Sequence, residues 1–205
     1  MTFYDNNLFD FTIDLTFQSA SLEYLDGEVD NLTKERLTQP NFWQADLLMW
    51  IHTLRSNRVL TCPELVRDAK SLSMSLNLTN DSTITSLNQT WLNKKESTDV
   101  LSFPIIDDFI VLQPQQCIEL GDIFVSVTTA QRQARQMNHD LIMELRWLVS
   151  HGLLHLMGWD HPDQARLDEM LDFQQKLLNM KDILLPTCDL QNKTTISPGL
   201  KQHRG

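Results

Sequence analysis

Residues 71–79, Ser-Leu-Ser-Met-Ser-Leu-Asn-Leu-Thr, alternate strictly between polar and apolar side chains. Successive side chains of a strand point to opposite faces, so Leu72, Met74, Leu76 and Leu78 share one face and the polar residues the other. This is the signature of a half-buried β-strand, and the flanking segments indicate what packs on it. Downstream, Asn80, Asp81 and Ser82 are good caps for a helix on which Ile84, Leu87 and Trp91 share a face. Upstream, residues 12–17 repeat the two-residue period and predict another strand. Between the two, residues 20–40 carry Glu23, Asp26, Glu28 and Asp30 with weak periodicity, and read as an exposed acidic insertion or loop ending at Pro40. Trp43, Leu47, Trp50, Ile51 and Leu54 then follow helical spacing over residues 42–54, and Pro63 opens a short helical stretch.

Further along, residues 99–103 predict a short strand closed by Pro104, residues 104–119 a loop, and residues 120–127 a strand with Ile123, Val125 and Val127 on one face. Thr128 or Thr129 is the expected cap of a helix carrying Ala130, Ala134 and Met137. Asp140 can cap the next helix, which runs through Leu145 and Leu148 to His155 and is apolar on nearly every side, as a buried central helix is. Pro162 and Asp163 restart a helix with Leu167, Met170, Leu171, Leu177 and Leu178 as its inner stripe. The chain turns polar from Pro186. The order predicts an α+β (mixed α/β) fold in a single domain over 1–185, a small sheet of about four strands packed with several helices. Residues 186–205 are expected to be a disordered polar tail.

The 205 residues are 41% hydrophobic and 21% charged, which suffices for one sizeable core. Met1–Asp10 is acidic where a secretory leader is basic, and no apolar run approaches bilayer length. The expectation is a soluble, cytoplasmic protein with no membrane partner. Cys62, Cys117 and Cys188 are odd in number and widely spaced, a pattern of reduced thiols. The net charge of -10 argues against binding nucleic acid over a broad surface, because phosphate neutralisation dominates such affinity. Action on RNA would need a local basic groove or a partner.

The chemistry lies in His151-Gly152-Leu153-Leu154-His155-Leu156-Met157-Gly158-Trp159-Asp160-His161. Residues four apart on a helix lie on one face, so His151 and His155 can reach one ion. Six more helical residues would carry His161 roughly 9 Å past His155, too far to share it. The helix must therefore stop and the chain fold back, and Gly158 stands where a left-handed C-terminal residue is needed. A lone histidine on an apolar helix is usually a packed side chain. Here three of the six histidines fall at ligand spacing around that glycine, and burying three such rings for no shared purpose would leave nitrogens short of partners. Three neutral imidazoles leave the fourth position of a tetrahedral zinc open to water, as catalytic sites do. Metzincin proteases use the same histidine spacing with a glutamate base after the first histidine. That position is Gly152, which cannot take a proton, so a peptidase of that kind is disfavoured.

This segment resembles the H-G-x-L-H-L-x-G-[YW]-D-H signature of the YbeY family of bacterial endoribonucleases. Ser97-Thr98-Asp99-Val100-Leu101-Ser102-Phe103-Pro104 is similar to that family's P-T-[DN]-V-L-S-F-P, and Leu120-Gly121-Asp122-Ile123 to its L-G-D-[IL]. The resemblance covers about residues 71–180. It implies a single-strand-favouring, metal-dependent endoribonuclease acting in 3′-end maturation of small-subunit ribosomal RNA and in ribosome quality control. It also implies one zinc ion per chain, held by His151, His155 and His161, with a ribosomal RNA precursor as substrate and the small subunit or ribosomal proteins as further partners. Zinc would polarise a phosphoryl oxygen or acidify a water, and either water or the ribose 2′-OH fits as nucleophile.

One departure matters. The family's L-N-x-x-[YW]-R arginine, implicated in activity, corresponds here to Leu92, in Leu87-Asn88-Gln89-Thr90-Trp91-Leu92. An aliphatic side chain cannot bind phosphate, whereas Lys94 and Lys95 can supply charge nearby and are the candidate substrate-binding residues. Adjacent lysines in a loop are as readily explained by solvation. Asp99 and Asp122 could orient a histidine from behind or serve as turn residues, and Asp160 could shape the metal loop. Arg132 and Arg135 read as a solvated face, and His52, His139 and His203 as incidental. No residue is singled out as general base. The alternative to an RNA-cleaving enzyme is a ribosome-associated binding protein whose zinc is structural or weakly catalytic, which the acidic charge and Leu92 favour.

Overall fold

The computed structural model describes residues 9–19, 25, 29–105 and 117–179. The expected tail from 186, His203, residues 20–24 and 26–28 of the acidic stretch, and residues 106–116 of the expected loop lie outside them. Four strands, β1 (Thr12–Ser19), β2 (Ser71–Thr79), β3 (Val100–Pro104) and β4 (Ile118–Ser126), form one sheet in the order β1-β2-β4-β3. β1–β2 and β2–β4 are parallel, and β3 closes the edge antiparallel to β4. Seven helices accompany them among the described residues: α1 (Asn31–Thr38), α2 (Pro40–Ser56), α3 (Glu64–Asp68), α4 (Asp81–Leu92), α5 (Val127–Met137), α6 (Leu141–Leu156) and α7 (Gln164–Asn179). The fold is α+β, with a mixed sheet.

The alternation in β2 is realised residue by residue. Leu72, Met74, Leu76 and Leu78 are buried while Ser71, Ser73, Ser75 and Asn77 are partly exposed. Leu76 pairs with Ile123 of β4, and Ile123 meets Gly152 on α6, so this face of the sheet packs on the central helix. A Cβ on residue 152 would stand 3.0 Å from the Ile123 methyl. The glycine that excludes a metzincin-type base thus lets α6 approach the sheet closely. From its other side α6 is tied to α2 by Arg146, whose Nε donates to the fully buried Asp46 carboxylate at 2.8 Å. A buried charge needs such a partner, so this bond fixes how α6 lies over the core.

Several local readings need correction. Residues 31–38 are helical, not loop: the Asp30 carboxylate accepts the Thr33 N–H at 2.9 Å and starts α1, which buries only Leu37 and so shows little periodicity. Ser126, not Thr128 or Thr129, caps α5, because β4 ends there and its Oγ accepts the Thr129 N–H at 3.2 Å. Both threonine hydroxyls turn instead to the Asp81 end of α4: Thr129 donates to the Asp81 carboxylate at 2.7 Å, and Thr128 accepts the Asp81 N–H at 3.3 Å. Val127 accordingly opens a helix rather than ending a strand. On α4, Ile84 and Asn88 are the buried residues and Trp91 is 68% exposed, leaning on Phe103 with ring centroids 6.0 Å apart. β4 begins at Ile118, inside the expected loop. Between Ser73 and Ser75 the register with β4 shifts, so that Leu120 and Gly121 together oppose a single residue. Gly121, at φ 127°, sits in this bulge, where a Cβ would overlap the Phe103 carbonyl oxygen. That is the structural reason for the Leu120-Gly121-Asp122-Ile123 block.

Candidate metal centre

Asp140 starts α6 by accepting the Met143 N–H at 2.7 Å, and the 16-residue helix delivers His155 one turn beyond His151. A Schellman closure ends it. The Gly158 N–H returns to the His155 carbonyl and the Trp159 N–H to the Leu154 carbonyl, both at 3.0 Å, with Gly158 at φ 84°. The chain reverses there. The Asp160 carboxylate accepts the His161 N–H at 2.8 Å, which tightens the turn. As a result the three imidazoles converge: ligand atoms of His151, His155 and His161 all lie within 4.8 Å of one another, and each ring is partly exposed. The reversal expected at Gly158 is therefore present, and it brings together the three residues that the spacing singled out.

Two of the rings have a partner behind them. His155 Nδ1 lies 2.9 Å from the Trp159 carbonyl oxygen, and His151 Nδ1 lies 3.2 Å from Gln174 Oε1. Neither Asp99 nor Asp122 makes such a bond. Asp99 accepts instead from the Val100 N–H at 2.9 Å and from Gln133 at 2.8 Å. The Trp159 carbonyl and Gln174 escape sequence reasoning. A backbone oxygen has no sequence signature, and Gln174 is hidden as one polar position on the inner stripe of α7, between Met170 and Leu177. The loop is braced besides: the Trp159 indole donates to the Thr61 carbonyl at 2.9 Å and stacks on Phe173 at 5.0 Å.

The donor set suits a cation. A carbonyl oxygen only accepts, so His155 Nδ1 must carry its proton and its Nε2 must present a bare lone pair. That Nε2 lies 3.2 Å from His151 Nε2. Two nitrogens each about 2.0–2.1 Å from one tetrahedral zinc stand roughly 3.3 Å apart, so the spacing is that of two ligands on a single ion. Burial, reinforced by the neighbouring His155, pushes the His151 pKa down to about 4. Burial also lowers that of His155, against the opposing effect of the Trp159 carbonyl. Both shifts favour the neutral ring, the form that binds metal.

A sequence profile described as "Endoribonuclease YbeY" matches residues 47–182, from within α2 onward. The chain belongs to the YbeY family. Proteins named "Endoribonuclease YbeY" from Prochlorococcus marinus strain MIT 9313 and strain NATL2A are 55% and 46% identical, over 82% and 84% of this chain and over 90% and 94% of their own lengths. One from Synechococcus sp. strain CC9311 is 47% identical, over 82% of this chain and 96% of its own. A solution structure of TM1509 from Thermotoga maritima aligns with a TM-score of 0.44 and 18% identity, covering 83% of this chain and 92% of that one. The YbeY match begins upstream of the 71–180 span over which the motifs pointed to the family, and takes in α2 from Leu47 onward.

Lys94 and Lys95 follow Asn93, which ends α4 at φ 55°, and their side chains are exposed. Leu92, in the position of the YbeY arginine, is 50% exposed. Arg132 pairs with Asp81 at 2.8 Å, so it is committed within the fold rather than simply solvated. His139 is not incidental either: its Nε2 meets the buried Glu144 at 2.5 Å, bracing the turn into α6. No described helix is long and apolar enough to cross a membrane.

Proposed function

We propose that this chain is a zinc-dependent endoribonuclease, with one zinc held by His151, His155 and His161, that cuts single-stranded stretches of a ribosomal RNA precursor. On this reading it acts in the cytoplasm in 3′-end maturation of small-subunit ribosomal RNA and in ribosome quality control, with residues 1–185 as the catalytic unit. The observation that carries it is the pair of imidazoles whose Nε2 atoms face each other at 3.2 Å, with His161 closing the third side, in a chain of the YbeY family. A zinc ion held there would supply Lewis acidity to a phosphodiester.

The protein's own residues do the rest. The α6 terminus and the Gly158 turn hold the three rings at fixed spacing, so the site is built before substrate arrives. The partial exposure of the rings leaves it accessible from solvent. Lys94 and Lys95 are free to meet backbone phosphates, a role that their exposure permits and that the net charge of -10 makes valuable. The small ribosomal subunit or its proteins would help to bring so acidic a chain to RNA.

The test is metal content alongside cleavage of single-stranded RNA, for the unaltered protein and for His155→Ala. Stoichiometric zinc with metal-dependent cleavage, both lost in the variant, is expected. End-group analysis then separates the nucleophiles, since a cyclic phosphate marks attack by the ribose 2′-OH. Leu92 and the acidic charge favour one second reading, a ribosome-associated binding protein with a structural zinc. That reading predicts bound zinc without cleavage, and unfolding rather than simple loss of activity in His155→Ala.

A further inference from the structure

Gln174 is fully buried on α7, yet both ends of its amide are used. Its Nε2 lies 2.6 Å from the Trp147 carbonyl oxygen, and its Oε1 lies 3.2 Å from His151 Nδ1. The Trp147 carbonyl accepts and never donates, so the NH2 end of the amide must face it. That leaves Oε1, also purely an acceptor, toward His151. The ring nitrogen there must then carry the proton, and the opposite nitrogen, Nε2, must be bare. The same reasoning fixes His155 through the Trp159 carbonyl. The two bare nitrogens face each other at 3.2 Å with no proton to share, an arrangement that a cation between them resolves.

We propose that Gln174 is a positioning residue for this site: through its amide, oriented by the Trp147 carbonyl, it holds His151 in the Nδ1-protonated form and aims its Nε2 at a divalent cation. The proposal rests on the metal reading given above. Gln174 reaches across from α7 to α6, so it couples the ligand geometry to the packing of the last described helix. Were it merely filling space, an unbranched apolar side chain of similar volume would serve equally well. Acceptors behind ligand histidines fix the tautomer and ring orientation, and their loss typically costs 10–100-fold in metal affinity.

The experiment uses Gln174→Met, which keeps the volume and removes the acceptor, and Gln174→Glu, which keeps an acceptor oxygen. Circular dichroism and denaturation first establish that each variant folds. Zinc affinity is then measured by competition with a chromophoric chelator at constant pH, and the histidine tautomers of the metal-free proteins are read by long-range proton–nitrogen NMR. The expected result is His151 protonated at Nδ1 in the unaltered protein and not uniquely so in Gln174→Met. Zinc binding should weaken by about 10–100-fold in Gln174→Met and hold in Gln174→Glu. Equal affinity in Gln174→Met and the unaltered protein would overturn the inference, as would His151 protonated at Nε2 in the unaltered metal-free protein. If the unaltered protein took up no zinc, the metal reading itself would fail. The tautomer spectra would still decide what Gln174 does to His151.

Discussion

Three of the described helices stop on a left-handed residue, and two of them, α4 and α6, are succeeded by very different surroundings. α4 ends at Asn93 with φ 55° and α6 at Gly158 with φ 84°, both left-handed. After α6 the chain turns inward. Two backbone bonds close the helix, the Trp159 carbonyl returns to His155, its indole reaches Thr61, and His161 arrives beside the other two rings. After α4 the backbone is just as well tied, since the Lys94 N–H returns to the Asn88 carbonyl and the Asn88 amide donates to the Glu96 carbonyl at 2.7 Å. The side chains of Lys94 and Lys95 nevertheless remain in solvent. A helix stop dictates the backbone path. Whether side chains then converge depends on what the returning chain can dock against, and only the turn after α6 has Thr61, Phe173 and the opposing helix face to meet. Ligands for an ion need fixed distances; groups that meet a flexible polyanion do not.

The sharpest way to break this contrast is to remove a converging ring. His155→Ala is expected to lower metal affinity by at least about a thousandfold and to abolish cleavage, with an unchanged circular dichroism spectrum. Near-normal metal content would mean that the convergence after α6 is fortuitous. Next in size comes Gly158→Ala. The new methyl would meet only Thr61, at 3.9 Å, so the cost is conformational, about 1–2 kcal/mol for a left-handed residue. Because the same turn aims the Trp159 carbonyl, chelator competition should also show weaker metal binding. Asn93→Ala should cost stability on a similar scale in denaturant and leave metal binding alone, and equal effects of the two substitutions on metal binding would erase the distinction.

A pH series sharpens the comparison from another side. Burial, then the neighbouring His155, lowers the His151 pKa from 6.5 to about 4. Between those values the unfolded chain binds a proton that the folded one refuses, so the metal-free protein is fully stabilised above pH 6.5 and loses stability as pH falls toward 4. Denaturant midpoints of metal-free protein at about pH 7 and about pH 5 should show the drop, and His151→Gln should reduce it, leaving the part due to His155. The smallest effect belongs to the open side. Lys94→Ala with Lys95→Ala should reduce cleavage only a few-fold and lower the salt dependence of RNA binding, with the slope changing by about 0.7 for each phosphate no longer neutralised. An unchanged salt slope would assign both lysines to solvation.

The legibility of the chain divides along the same line. Period-two alternation exposes β1 and β2 because each buries one face, and the Gly158 reversal is legible because three histidines can share an ion only if the helix stops there. Helix α1 is not, since burying Leu37 alone leaves no periodic stripe. The cap of α5 lies two or three residues before the expected threonines, because Ser126, Thr128 and Thr129 are all cap formers around Val127 and the choice depends on where β4 ends. The partners behind the ligand rings are illegible for a simple reason. Gln174 lies 23 residues from His151 and meets it only once α7 has packed on α6.

All three candidate ligands sit within eleven consecutive residues, 151–161. Loop-closure entropy grows with the length of chain enclosed, so bringing these rings together costs far less than assembling ligands from distant strands. The site has low contact order inside a fold whose parallel strands must be joined across tens of residues. Convergence of the rings therefore needs only the groups that brace the α6 turn, Thr61, Phe173 and Gln174, and no ligand from the sheet. By the same token removal of the ion loosens one helix end and spares the rest. Amide hydrogen exchange should register metal loading at residues 155–161 and leave β2 and β4 as slow as before.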